Sequence, residues 1–111
     1  MKDNIFIKIE SDKQPKMSIH ANGKPHFNKL AISLMQLANK KYFKIAKGKN
    51  EKCIFLFPVD ISIDALKISK VGNYYCFNNI NLFRRLGFIR NDSYVVQSVK
   101  YKDETIYKIC L

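Results

Sequence analysis

One order of elements is written twice along this chain, and that repetition limits the folds open to it. Residues 17–37 read MSIHANGKPHFNKLAISLMQL, and residues 66–86 read LKISKVGNYYCFNNINLFRRL. Each stretch is a short apolar strand, a turn containing glycine, a second short strand, an asparagine and an amphipathic helix. A further pair of strands follows each time, so the order is ββαββ. The two copies align with Ile19 on Ile68, Gly23 on Gly72, Phe27 on Phe77 and Asn28 on Asn78. One such unit, with two hairpins and a short helix, is too small to bury its own apolar faces. Two units supply each other's missing wall, and a barrel made from both removes most exposed strand edges.

Local patterns set the elements. NIFIKIE, residues 4–10, alternates as a strand does, and the polar SDKQPK that follows reads as a linker. Asn22-Gly23 predicts a two-residue hairpin turn, with Pro25 marking an edge or bulge in the return strand. Asn28 is placed to cap a helix whose apolar stripe is Leu30, Leu34 and Leu37, widened by Ala31, Ile32, Met35 and Ala38. KYFKIAK and KCIFLFPV form a hairpin around GKNE, and the run Ile54 to Phe57 suggests a strand buried on both faces. In the second copy, ALKISK and YYCF flank Gly72-Asn73, Gly87 ends the helix, and SYVVQSVKY pairs with TIYKICL around KDE.

The expected fold is therefore mainly β with two short helices. It is a β-barrel from two tandem ββαββ repeats related by a pseudo-two-fold, plus an N-terminal strand. Residues 1–16 are the strand and linker. Residues 17–111 are one domain made of repeat one (17–59) and repeat two (66–111).

Charge separates the halves. Residues 1–59 carry twelve cations and four acids, against eight and five in residues 60–111. The net +11 favours a polyanionic partner, nucleic acid or an acidic protein, concentrated on the first half. Seventeen of the twenty cations are Lys, which also suits a plain solvated surface. Cys53, Cys76 and Cys110 are odd in number, widely spaced and without a C-x-x-C, as expected for reduced thiols in a cytoplasmic protein. Cys53 and Cys110, in apolar runs, read as buried and inert. No apolar stretch has the length of a membrane span or a signal-peptide core.

The course NGKPHFNKLAISLMQLANKKYFKIAKG, together with RRLGFIRNDSYVV at the second helix end, resembles the swapped-hairpin barrel of the AbrB, MazE and MraZ type of transcription factor and antitoxin. The resemblance covers residues 17–111. It implies interleaved hairpins and DNA binding through basic residues near the first turn and the helix start. Lys24 stands for the family's turn arginine and Lys29 follows the helix cap. Asn28 and Asn78 replace the family's helix-leading proline, Asn73 replaces the second basic turn residue, and NKKY stands where copy one lacks the acidic-Gly-Asp step.

Independently of the family, Lys40, Lys41, Lys44, Lys47, Lys49 and Lys52 surround one hairpin. Strand alternation aims Lys44 outward and sets Lys40, Lys47 and Lys49 at the strand ends. Ammonium groups suit phosphate rather than base edges, so binding by such a patch is weakly sequence-specific and steeply salt-dependent. Arg84 and Arg85, late in the second helix, suit either the helix dipole or a phosphate. The candidate nucleic-acid-binding residues are thus Lys24, Lys29, Lys40, Lys41, Lys44, Lys47, Lys49, Arg84 and Arg85.

Other chemistry finds little footing. His20 and His26 flank the first turn without a third metal ligand. Asp60 and Asp64 read as turn residues, and no nucleophile motif or glycine-rich phosphate loop is present. No enzyme activity, metal or cofactor is expected. The six tyrosines read mainly as packing residues. The leading expectation is a small basic cytoplasmic protein that binds duplex DNA in a regulatory role, as a monomeric pseudo-dimer or a homodimer, without a membrane. The alternatives are a protein-interaction or assembly module (antitoxin-like or a phage-type accessory protein) with an acidic partner, and a single-strand nucleic-acid binder.

Overall fold

The computed structural model describes residues 14–49 and 52–111, so the strand expected at NIFIKIE and the last two residues of GKNE lie outside the described residues. The elements in order are β1 (Lys16–Ile19), β2 (Pro25–Phe27), α1 (Lys29–Met35), β3 (Tyr42–Lys47), β4 (Cys53–Val59), β5 (Leu66–Val71), β6 (Tyr74–Phe77), α2 (Ile80–Arg85), β7 (Ser93–Tyr101) and β8 (Glu104–Cys110). The eight strands close into an antiparallel barrel in the order β1-β2-β6-β5-β3-β4-β8-β7. Every strand among them has two neighbours, which leaves no open sheet edge.

The hairpins interleave. β1–β2 sits between β7 and β6, and β3–β4 sits between β5 and β8. No strand of β1–β2 pairs with one of β3–β4; each meets only strands from beyond residue 66. Exchanging β1–β4 with β5–β8 maps the whole pairing order onto itself. Two bonds tie the halves at their junctions: Ile19 N–H donates to the Asp92 carbonyl at 2.9 Å, and Ile68 N–H donates to the Lys41 carbonyl at 2.8 Å.

Alternation along the strands fills the interior. Met17, Ile19, Phe27, Phe43, Ile54, Leu56, Ile68, Phe77, Val96, Tyr107 and Ile109 point inward, joined by Ala31, Met35 and Leu37 from the α1 region and Phe83 from α2. At the centre, the Phe77 ring lies edge-on to Phe27 and Phe43, at 5.6 and 6.0 Å, and stacks on Phe83 at 5.7 Å. The Asn28 side chain accepts from Ala31 N–H as the α1 cap, as expected, and also accepts from Lys16 N–H at 3.0 Å. Val96 N–H bonds the Pro15 carbonyl, so barrel hydrogen bonding begins two residues ahead of the expected domain start at 17.

Four local expectations need correction. β4 is buried on one face, not two: Ile54 and Leu56 point in, while Phe55 and Phe57 are half-exposed on the outer wall. Their outer contacts are Lys108 Nζ over the Phe55 ring at 5.9 Å and Tyr101 edge-on to Phe57 at 5.8 Å. The α1 stripe is Ala31 and Met35, with Leu30 exposed. The helix stops at Gln36, whose left-handed backbone (φ 53°) takes Leu37 off the helical period.

The first turn is a three-residue loop rather than two. Gly23 N–H bonds the His20 carbonyl, His20 N–H bonds the Lys24 carbonyl, and Gly23 alone is left-handed, at φ +87°. Finally, Cys53 and Cys110 are not separate thiols. They face each other on β4 and β8 and are joined as a disulfide that links residues 57 apart. Neither lies near the other in sequence, so only the strand pairing brings them together. Cys76 is the free, buried thiol.

Candidate nucleic-acid interface

The β2–β6 register His26↔Cys76 carries the β1–β2 turn past the end of β6, where α2 begins. Gly23 meets Ile80 there so closely that a Cβ would stand 2.6 Å from the Ile80 methyl, and 3.8 Å from Arg90 Nε. Beyond α2, Gly87 (φ +101°) turns the chain, with its N–H bonded to the Arg84 carbonyl and Phe88 N–H to the Phe83 carbonyl. Phe88 is thereby buried, while Ile89 and Arg90 are exposed. Between this loop, α2 and the first turn lies a cleft of about 440 Å³, floored by Ile19, Ile80 and Phe88 and rimmed by Arg84 and Arg90.

The tip of β3–β4 comes to the same end. Lys47 and Lys52 line a smaller hollow with Leu86, Phe88 and Leu111, so Phe88 backs both depressions. Lys24 follows Gly23 on the turn, Lys49 lies in the hairpin tip, and Arg85 lies on the exposed side of α2. Among the described residues no Asp or Glu side chain lines either depression; Glu51, beside Lys52 in sequence, lies outside the described residues. This end therefore gathers Lys24, Lys47, Lys49, Arg84 and Arg85 from the expected set. It adds Lys52, and Arg90, which sequence reasoning passed over. Arg90 sits in the post-helix loop within RRLGFIRNDSYVV, a stretch that marks a helix end and no basic contact, and the fold brings it to Gly23.

The other expected cations fall elsewhere. Lys40 and Lys41 lie at the far end of β3, about 20 Å from Lys47 by strand rise. Lys40 shares a polar pocket with Asp60 and Glu104, and both lysines lie beside Asp60 in another. Nearby carboxylates weaken their pull on an anion. Lys44 projects from the outer wall opposite Phe57 in register. Lys29 is exposed at the start of α1. The hairpin cluster read from sequence is thus a line along the barrel and not one patch. Arg84 also donates to its own helix, to Asn81 Oδ1 at 3.0 Å.

Around the first turn, the His20 and His26 rings stack at 3.7 Å with planes 7° apart, and Tyr74 meets His26 edge-on. Parallel rings do not converge their nitrogens on one point, and among the described residues no group of three side chains is placed to hold a metal. His26 Nδ1 is buried without a hydrogen-bond partner. Burial first, then the charges of His20 and Lys24, hold the His26 pKa below its ordinary value. Burial pushes the Cys76 thiol up, away from reactivity.

The His26 shift has a defined sign. The folded form disfavours the proton, so its contribution to stability is complete above the unfolded value near pH 6.5 and is lost as pH falls through the lowered folded value. Thermal midpoints should fall between pH 8 and about 5.5, and His26→Gln should flatten that dependence. An unchanged slope in the variant would remove His26 as the cause.

The tyrosines do not form one platform. Tyr107 is buried with its hydroxyl donating to the Leu34 carbonyl, Tyr94 accepts from Ile89 N–H, and Tyr75 lies beneath Lys70. Among the described residues no helix is long and apolar enough to cross a membrane. No family model matches the chain, and neither does any curated protein or any solved structure.

Proposed function

We propose that the chain binds nucleic acid, duplex DNA through its phosphates in a regulatory role, and that the end built by the β1–β2 turn, α2 and the β3–β4 tip is the contact surface. The observation that carries this reading is the collection of Lys24, Lys47, Lys49, Lys52, Arg84, Arg85 and Arg90 at that end, with no Asp or Glu side chain among the described residues lining its depressions. Three guanidinium groups among the ammonium groups add forked donors that fit phosphate oxygens. The interleaved hairpins support the resemblance to the AbrB, MazE and MraZ barrels, in which two copies interlock in the same manner. Such a role places the protein in the cytoplasm, where the Cys53–Cys110 bond would meet a reducing thiol pool.

The test is fluorescence anisotropy with a random-sequence duplex across a salt series. Binding should weaken steeply with salt, with log K against log [salt] falling by about 0.9 for each phosphate neutralised. Lys24→Glu with Arg90→Glu should weaken binding about tenfold or more at 0.1 M salt, by a similar factor on unrelated sequences. Lys40→Glu with Lys41→Glu, at the far end, should change it much less. No binding at low salt ends the proposal. Equal losses from the two pairs would move the surface elsewhere, and tighter binding to single strands would favour the single-strand alternative.

A further inference from the structure

We propose that the cleft beside Gly23 is a binding site for a small amphipathic carboxylate. Its alkyl chain would lie over Ile19, Ile80 and Phe88, and its carboxylate would bridge Arg84 and Arg90. The volume of about 440 Å³ falls within the range of small-molecule sites. The floor is apolar, and among the described residues the polar groups at the rim include two guanidinium groups and no Asp or Glu side chain. That division of chemistry fits a ligand with one anionic head and one greasy tail, since a guanidinium fork takes two carboxylate oxygens at once.

The geometry of the wall is held rather than incidental. Gly23 has no side chain where one would collide with Ile80, so the turn can stand against α2 and shape the cleft. Ile89, at the cleft, leaves 62% of its surface exposed, a large apolar side chain uncovered by the protein itself. Its backbone is pinned by the hydrogen bond from Ile89 N–H to Tyr94 Oη at 2.9 Å, and Tyr94 packs edge-on against Phe88 at 4.8 Å. A pinned, exposed isoleucine beside an apolar floor is surface that an alkyl chain would cover.

A regulatory consequence rests on the nucleic-acid reading above. A carboxylate on Arg84 and Arg90 occupies two groups that phosphate would use, so ligand and DNA compete.

The experiment uses the full chain with 13C-labelled isoleucine methyl groups, followed by NMR during titration with octanoate. Octylamine, with the same tail and the opposite charge, is the control. Octanoate should shift the Ile19, Ile80 and Ile89 methyl signals saturably in the micromolar-to-millimolar range, and octylamine should not. Arg90→Gln should weaken octanoate about tenfold, as the loss of one charge-assisted contact does, and Arg84→Gln should act likewise. Both arginines are exposed, so neither variant endangers the fold.

Absent shifts at millimolar octanoate, or equal shifts with octylamine, overturn the site. In the anisotropy assay octanoate should release bound duplex. Octanoate that shifts the methyls yet leaves DNA bound overturns the competition alone. Octanoate binding in a protein that never binds duplex keeps the site and sinks the nucleic-acid reading.

Discussion

Phe77→Ala is expected to cost about 3–5 kcal/mol of folding stability, the range for emptying a fully buried aromatic site. Phe77 is wholly inaccessible and touches Phe27 from β2, Phe43 from β3 and Phe83 from α2. Its ring stands where elements from both sides of residue 60 meet, so truncation opens a cavity that no single element can close. Chemical denaturation followed by circular dichroism measures the loss directly. A change under about 1 kcal/mol would mean the barrel interior collapses around the gap, against the close-packed centre described above. Tyr74→Ala, at a site 60% exposed, is the contrasting variant and should move stability much less.

Gly23→Ala should rank next, at about 2–5 kcal/mol. Two costs combine. A left-handed backbone at φ +87° disfavours any Cβ by about 1–2 kcal/mol. The added methyl would also stand 2.6 Å from Ile80 Cγ2, which forces α2 or the turn to give, at about 1–3 kcal/mol. Gly72, the counterpart in the β5–β6 turn, separates the two costs. It is also left-handed, at φ +61°, but nothing lies within 4 Å of where a Cβ would stand. Gly72→Ala should therefore show the backbone cost alone, about 1–2 kcal/mol. Thermal melts of both variants check this, and equal losses would show that the Gly23–Ile80 approach costs nothing.

Much of the barrel was legible because its signals are local. The strand–turn–strand–helix order written twice set the succession of elements, Asn28 announced a cap, and Gly87 announced a helix end. The failures share a cause: each depended on a partner distant in sequence. The run Ile54 to Phe57 has no local mark that Phe55 and Phe57 would meet Lys108 and Tyr101 outside the barrel. The Leu30, Leu34 and Leu37 stripe presumes a helix that continues, whereas α1 ends when Gln36 turns left-handed. Cys53 and Cys110 meet only through the β4–β8 register.

The interface divides in the same way. Lysine density along one hairpin was visible, but hairpin ends point in opposite directions, so Lys40 and Lys41 part from Lys47 and Lys49. Arg90 has no basic role marked by its own segment and reaches the first turn because its neighbours Asn91 and Asp92 bond Ile19 across the β1–β7 seam.

Interleaving also sets a timetable for the chain as it is made. β1 closes the barrel against β7, and Ser18 meets Ser93 across that seam, 75 residues downstream. At about 5–20 residues per second, the opening hairpin waits roughly 4–15 s for its last neighbour to be synthesised. Through that interval its unpaired backbone is open to any other strand, including the same hairpin on a neighbouring ribosome. After a scission between Val59 and Leu66 the Cys53–Cys110 bond still ties the two fragments together. Once it is reduced, each half carries hairpins spaced to receive the other's, so the separated halves should re-form the barrel on mixing and neither should fold by itself.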